Sequence, residues 1–230
     1  MCGRFVMACD LSDLVETFDI SDIACEPERS YNIAPGAEVA TVIHTGTTRL
    51  IPLKWGLVPS WSKDPSIGNR LINARAETVR EKPSFRNAFK QRRCLIVATG
   101  FYEWRNDVRG KTPFYIGLRT DGPFGFAGLY DFWQSPEGNE LATCAIITTE
   151  ANDMIRPIHD RMPVIIPYHE VLRWLDPSAG VPAARLPLLK PYPSEQMTAY
   201  QVSSMVNSPR NNSPDCIKPA LHSRNQHSLA

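Results

Sequence analysis

The sequence predicts an α+β domain built on a mixed, mostly antiparallel sheet with a few short helices. Three observations carry this reading. Short apolar, β-branched and aromatic runs recur along the whole chain, while helical periodicity is confined to brief patches. Twenty prolines and thirteen glycines are spread through the sequence, which favours many short elements over long ones. Neither internal repeats nor a linker interrupts the 230 residues, and 43% hydrophobic content is enough for one sizeable core.

Taken in order, Phe5 to Met7 reads as a strand leaving the N-terminus. Asp10 and Ser12 can cap a helix through Phe18, with Leu11, Leu14, Val15 and Phe18 on one face. Residues 21–30 read as a polar loop, and Tyr31 to Gly36 as a turn into a strand from Val39 to His44. Gly46 suits a hairpin returning through Arg49 to Trp55. Trp55 to Trp61 is a rigid aromatic loop with two exposed tryptophans, and Leu71 to Glu77 begins extended. Ser84 to Lys90 is a short helix with Phe85 and Phe89 at i, i+4. Cys94 to Ala98 is a buried strand, continued after a glycine break by Gly100 to Trp104. Phe114 to Leu118, Phe124 to Tyr130 and Leu141 to Thr148 add three strands, and Ala151 to Ile155 a short helix. Val164 to Ile166 is extended, His169 to Leu175 helical, and Met197 to Val202 a last strand after proline-rich connections. Beyond about Ser204 the chain is polar and aperiodic, so residues 208–230 are expected to form a mobile tail behind a domain of residues 1–207.

Net charge is +1, so a nucleic-acid partner would need a local basic patch rather than a strong overall field. Six cysteines lack CxxC or zinc spacing, which points to a reducing cytosol, no metal and no disulfide framework. No apolar run approaches membrane-spanning length, and no signal region precedes the domain.

The chemistry concentrates at the start, Met1-Cys2-Gly3-Arg4. Removal of Met1 leaves an N-terminal cysteine whose amine and thiol form a 1,2-aminothiol. With reference pKa values of about 7.7–8.0 and about 8.5, both nucleophiles are partly available near neutrality. The amine can condense with an aldehyde and the thiol can close on the imine as a thiazolidine. Glu103 lies in Phe101-Tyr102-Glu103-Trp104, where strand alternation puts it on one face with Phe101 and sets Tyr102 and Trp104 on the other. Such surroundings desolvate a carboxylate and suit it to proton transfer, although an edge-strand glutamate paired with arginine fits the same local sequence. His159 is the best histidine candidate by elimination, and Asn73 can donate and accept at once. Arg4, Arg75, Arg80, Arg86 and Arg161 could contact phosphate, and Trp61 could stack a splayed base. Each of these residues also has an ordinary structural role open to it.

Six motifs nevertheless occur in order: Met1 to Phe5, Tyr31 to Gly36, Trp55 to Trp61, Ile72 to Glu77, Gly100 to Trp104 and Ile158 to Pro163. Together they closely resemble the SOS response-associated peptidase (SRAP) family, which includes the eukaryotic abasic-site shield proteins, over residues 2 to about 207. The resemblance implies a barrel-like α+β fold and a protein that binds single-stranded DNA and crosslinks to abasic sites, without a cofactor. It assigns Cys2 as nucleophile, with Asn73, Glu103 and His159 as the other active-site residues. Arg4, Pro35, Trp61, Arg75 and Arg161 match its DNA-contacting positions. The expectation is a monomer in the cytoplasm, associated with the nucleoid when on DNA. Two other functions stay open from sequence: a thiol peptidase using Cys2, His159 and Asn73, and a non-covalent single-strand binding module. A peptidase would tolerate retained Met1, and only the crosslinker would leave an adduct on a denaturing gel.

Overall fold

A computed structural model describes residues 2–108, 110–178 and 182–220. The strands in chain order are β1 (Phe5–Met7), β2 (Asp22–Ile23), β3 (Ser30–Ile33), β4 (Glu38–His44), β5 (Thr48–Trp55), β6 (Asn73–Arg75) and β7 (Arg93–Ala98). They continue as β8 (Gly100–Asp107), β9 (Gly110–Leu118), β10 (Phe124–Gln134), β11 (Glu140–Glu150), β12 (Arg161–Pro163), β13 (Ile165–Ile166) and β14 (Met197–Gln201). Three short α-helices accompany them, α1 (Leu11–Phe18), α2 (Arg86–Gln91) and α3 (Val171–Leu175).

Five strands close into a barrel. β5 pairs with β4, β4 with β7, β7 with β10 and β10 with β11, all antiparallel. β11 then returns to β5 in a parallel pairing, with Cys144 opposite Trp55. β7 is buried at every residue: Cys94 to Ala98 are apolar, and the buried Arg93 guanidinium donates to the carbonyls of Trp174, Phe89, Lys90 and Asp176. A second sheet, in the order β14-β9-β8-β1-β3, is antiparallel throughout. The chain crosses from barrel to second sheet at Thr99-Gly100. A Cβ on Gly100 would lie 2.3 Å from the Tyr115 ring, so only glycine fits beneath that tyrosine.

Phe5 ties the two layers together. Its ring meets Trp55 at 5.2 Å and Phe126 at 5.8 Å, both edge-on, inside the barrel core. Trp55 in turn donates its indole N–H to the Ile72 carbonyl at 2.9 Å, which fixes the chain just before Asn73. The N-terminus is thereby anchored in the core only three residues beyond Cys2.

Several expectations need correction. Trp55, read as exposed, is 1% exposed, whereas Trp61 is 55% exposed. Ser30 to Ile33 form strand β3 rather than loop and turn, because β1 supplies a partner for that segment. Two residues of the expected 21–30 loop pair with β5 as β2. Residues 151–155 form turns instead of a helix: Asn152 Oδ1 accepts from the Ile155 N–H at 3.0 Å, a side-chain closure that competes with helix. Residues 208–220, read as part of a mobile tail, lie against the second sheet. Cys216 is fully buried, and Asn212 Oδ1 accepts from the Tyr31 N–H at 2.6 Å. Residues 221–230 lie outside the described residues. No described helix is long and apolar enough to cross a membrane.

Candidate active site

Two sheets deliver the four candidate residues to one place. β1 and β8 run antiparallel with Phe5 opposite Phe101, and the Tyr102 N–H donates to the Arg4 carbonyl at 2.9 Å. Continuing that register sets the residues before Arg4 alongside Glu103. The other wall comes from β11, which pairs with β6 through Ile146 opposite Asn73 and with β12 through Glu150 opposite Arg161. Asn73 therefore reaches the N-terminus from one side of β11, and His159, two residues before β12, from the other.

Cys2 is fully buried, and its thiol points to the Arg4 carbonyl at 4.0 Å. Its backbone carbonyl accepts from Asn73 Nδ2 at 2.8 Å. Burial pushes the Cys2 thiol well above its ordinary range, and the nearby Glu103 charge adds to the rise. Glu103 is 3% exposed, and burial likewise raises its carboxyl, opposed in part by the His159 charge. Its Oε2 stands 4.0 Å from His159 Nε2, too far for a direct hydrogen bond and close enough for one reacting group to bridge.

His159 has a defined orientation. Its Nδ1 accepts from the Arg161 backbone N–H at 3.0 Å, so the proton of a neutral ring sits on Nε2, the nitrogen facing Glu103. Asp160 Oδ1 is also 3.0 Å from Nδ1 and would receive a hydrogen bond if that nitrogen were protonated. A thiol peptidase acting on other proteins needs an imidazole on the sulfur, and here Nε2 looks toward a carboxylate instead.

Glu103 and His159 open onto a cavity of about 410 Å³, lined also by Trp104, Asn106, Lys111 and Asn207. Sequence reasoning missed the last three. Asn106 and Lys111 become neighbours only through the β8–β9 pairing, and Asn207 is the last residue of the expected domain, in the polar, aperiodic stretch beyond Ser204. That stretch is pinned by Asn32, which is 4% exposed and donates to the carbonyls of Val206, Ser208 and Asn211 at 3.2, 3.0 and 2.7 Å. Arg4 completes the knot with bonds to Asn32 Oδ1 at 2.8 Å and the Val206 carbonyl at 2.9 Å, and its guanidinium lies 5.8 Å from the Trp104 ring centre.

A family model described as SOS response associated peptidase (SRAP) matches residues 1–209. The chain belongs to the SRAP family. Abasic site processing protein YoqW of Bacillus subtilis strain 168 is 49% identical over 222 residues, which span 95% of this chain and 99% of that protein. Abasic site processing protein HMCES of Mus musculus is 35% identical over 202 residues, covering 74% of this chain and 57% of that protein. A crystal structure of a Bacteroides thetaiotaomicron protein superposes with a TM-score of 0.86 at 29% identity, covering 96% of this chain and 100% of that one.

The SRAP domain treats its remaining candidate residues in two ways. Pro35, Trp61 and Arg75 are exposed. Arg4 and Arg161 are engaged within the protein: Arg161 holds Glu77 through two bonds of 2.7 and 3.0 Å and reaches the Thr148 carbonyl at 2.7 Å. That pairing keeps the Glu77 carboxyl below its ordinary range.

Proposed function

We propose that the protein processes abasic sites, and that Cys2, once Met1 is removed, crosslinks to the abasic sugar in single-stranded DNA and shields it from strand cleavage. The observation that carries this reading is the setting of residue 2, its carbonyl held by Asn73 beside a buried carboxylate and an oriented imidazole. The names of its curated relatives support the substrate class.

In the chain as translated, the Cys2 nitrogen is an amide. The Cys2 thiol can attack the preceding carbonyl, the amide nitrogen takes the proton, and water hydrolyses the thioester to release methionine and restore the thiol. The free amine then adds to the open-chain aldehyde of the abasic sugar, whose ring opening needs one group to take a hydroxyl proton and another to supply one to the ring oxygen. Glu103 and His159 are the pair for this exchange, because burial gives Glu103 a carboxyl that can both hold and release a proton nearer neutrality. The carbinolamine loses water to give an imine. The thiol adds through sulfur to the imine carbon while its proton reaches the nitrogen by way of Glu103, and the product is a thiazolidine formed with net loss of one water. An imine alone would hydrolyse or lead to β-elimination of the 3′ phosphate, a lyase outcome. Sulfur capture converts it to protection.

For the DNA, Arg75 supplies an exposed cation, and Trp61 and Pro35 supply surfaces for unstacked nucleotides. Arg4 and Arg161 shape the walls and offer charge from within them. The test is a denaturing gel of protein incubated with a single-stranded oligonucleotide carrying one abasic site. A retarded band with the wild type that vanishes with Cys2→Ala supports the reading; its absence with the processed wild type refutes it.

A further inference from the structure

We propose that Lys111 is a DNA-binding residue that seats a phosphate of the strand entering the Glu103–His159 cavity. This rests on the abasic-site reading above and adds a contact to it. Lys111 sits on β9 directly opposite Asn106 of β8, and both line the cavity together with Glu103 and His159. Directly opposed residues of an antiparallel pair share a face, so Lys111 and Asn106 present a cation and an amide side by side at the cavity mouth.

The neighbouring arginines are already committed. Arg4 is bound to Asn32 and the Val206 carbonyl, and Arg161 to Glu77 and the Thr148 carbonyl. Arg105 is 3.7 Å from Asp107 and lies over the Phe114 ring at 5.0 Å. Lys111 is the one lysine or arginine lining the cavity among the described residues, it is exposed, and it has no ion-pair partner there. A phosphodiester delivered to the cavity brings negative charge beside the buried Glu103 carboxylate, and a mobile ammonium at the rim is the group that offsets it. Asn106 adds a neutral donor on the same face.

The experiment measures binding of a fluorescent single-stranded oligonucleotide carrying a tetrahydrofuran abasic analogue, which cannot form an imine, across a salt series. With Lys111→Ala, affinity at low salt should fall by about 3- to 10-fold, and the slope of log affinity against log salt should shrink by about 0.7, the loss of one single-strand phosphate contact. Lys111→Arg should restore both. An unchanged salt slope in Lys111→Ala overturns the proposal, as does a loss that arginine fails to rescue. A failure of wild-type protein to crosslink a true abasic site would count against the proposed function instead, so the two outcomes are separable.

Discussion

The side-chain amide of Asn73 donates to the backbone carbonyl of Cys2 across 2.8 Å, while its own Oδ1 is buried without a hydrogen-bond partner among the described residues. One end of the amide holds the Cys2 backbone, and under the proposed function the free α-amine donates to the other. Asn73→Ala should slow crosslinking at saturating DNA by about tenfold, the equivalent of roughly one hydrogen bond. Single-turnover kinetics check this, and a rate equal to wild type would show that Asn73 is not needed to hold the terminus.

Cys2 tests the division of labour between nitrogen and sulfur. Cys2→Ala keeps an α-amine after methionine removal and should lose the stable adduct while still nicking abasic DNA. Cys2→Ser should give an oxazolidine that is lost on heating. The gel distinguishes these outcomes, and a heat-stable adduct with Cys2→Ala would remove sulfur from the account.

Glu103 is kept at a cost in stability. Its carboxyl titrates above its ordinary value because it is buried, so between the unfolded and folded values the native state holds more proton than the unfolded chain. Stability from this group is therefore greatest below the unfolded value and falls as pH rises through the window. Glu103→Gln should raise Tm at neutral pH by about 2–4 °C, with the gain shrinking toward pH 4. It should also slow crosslinking. Thermal melts across pH test the first part, and a gain that grows on acidification would reverse the sign argued here.

Arg75 and Arg161 should behave differently. Arg75 is exposed, so Arg75→Ala should weaken binding of single-stranded DNA and lower its salt dependence with little change in Tm. Arg161 is 15% exposed at its side chain and bridges Glu77 to β11, so Arg161→Ala should lower Tm as well. Melting curves beside salt-dependent anisotropy separate the roles, and an unchanged Tm in Arg161→Ala would deny it the structural one.

Strands of both sheets were legible because their residues announce themselves: in the barrel, Cys94 to Ala98 is continuously apolar and is buried throughout, and in the second sheet Phe101 and Glu103 alternate with Tyr102 and Trp104 as strand geometry demands. What stayed hidden depends on pairing across long sequence separation. Nothing around Asn32 says that its amide gathers three carbonyls from residues 206–211, so residues 208–211 looked free when they are held beside Asn207, which lines the cavity. Trp55 looked exposed because the polar partner of its indole, the Ile72 carbonyl, cannot be read from its neighbours. Lys111 joined the cavity only through its register with Asn106.

Asn32 gives the same point a measurable form. Removing its buried amide takes one bond from each of three carbonyls and one from Arg4, each of which keeps another partner, so Asn32→Ala should cost about 2 kcal/mol. Denaturant unfolding measures the loss, and a cost under about 1 kcal/mol would mean that the segment is held by its apolar contacts instead.

Intact-mass analysis of the protein after incubation with an abasic oligonucleotide tests the central claim most directly. The account predicts a species lacking Met1 and carrying the oligonucleotide less one water, with the adduct mapping to Cys2 on peptide digestion. An adduct on protein that still carries Met1, or one attached to any other residue, would contradict it.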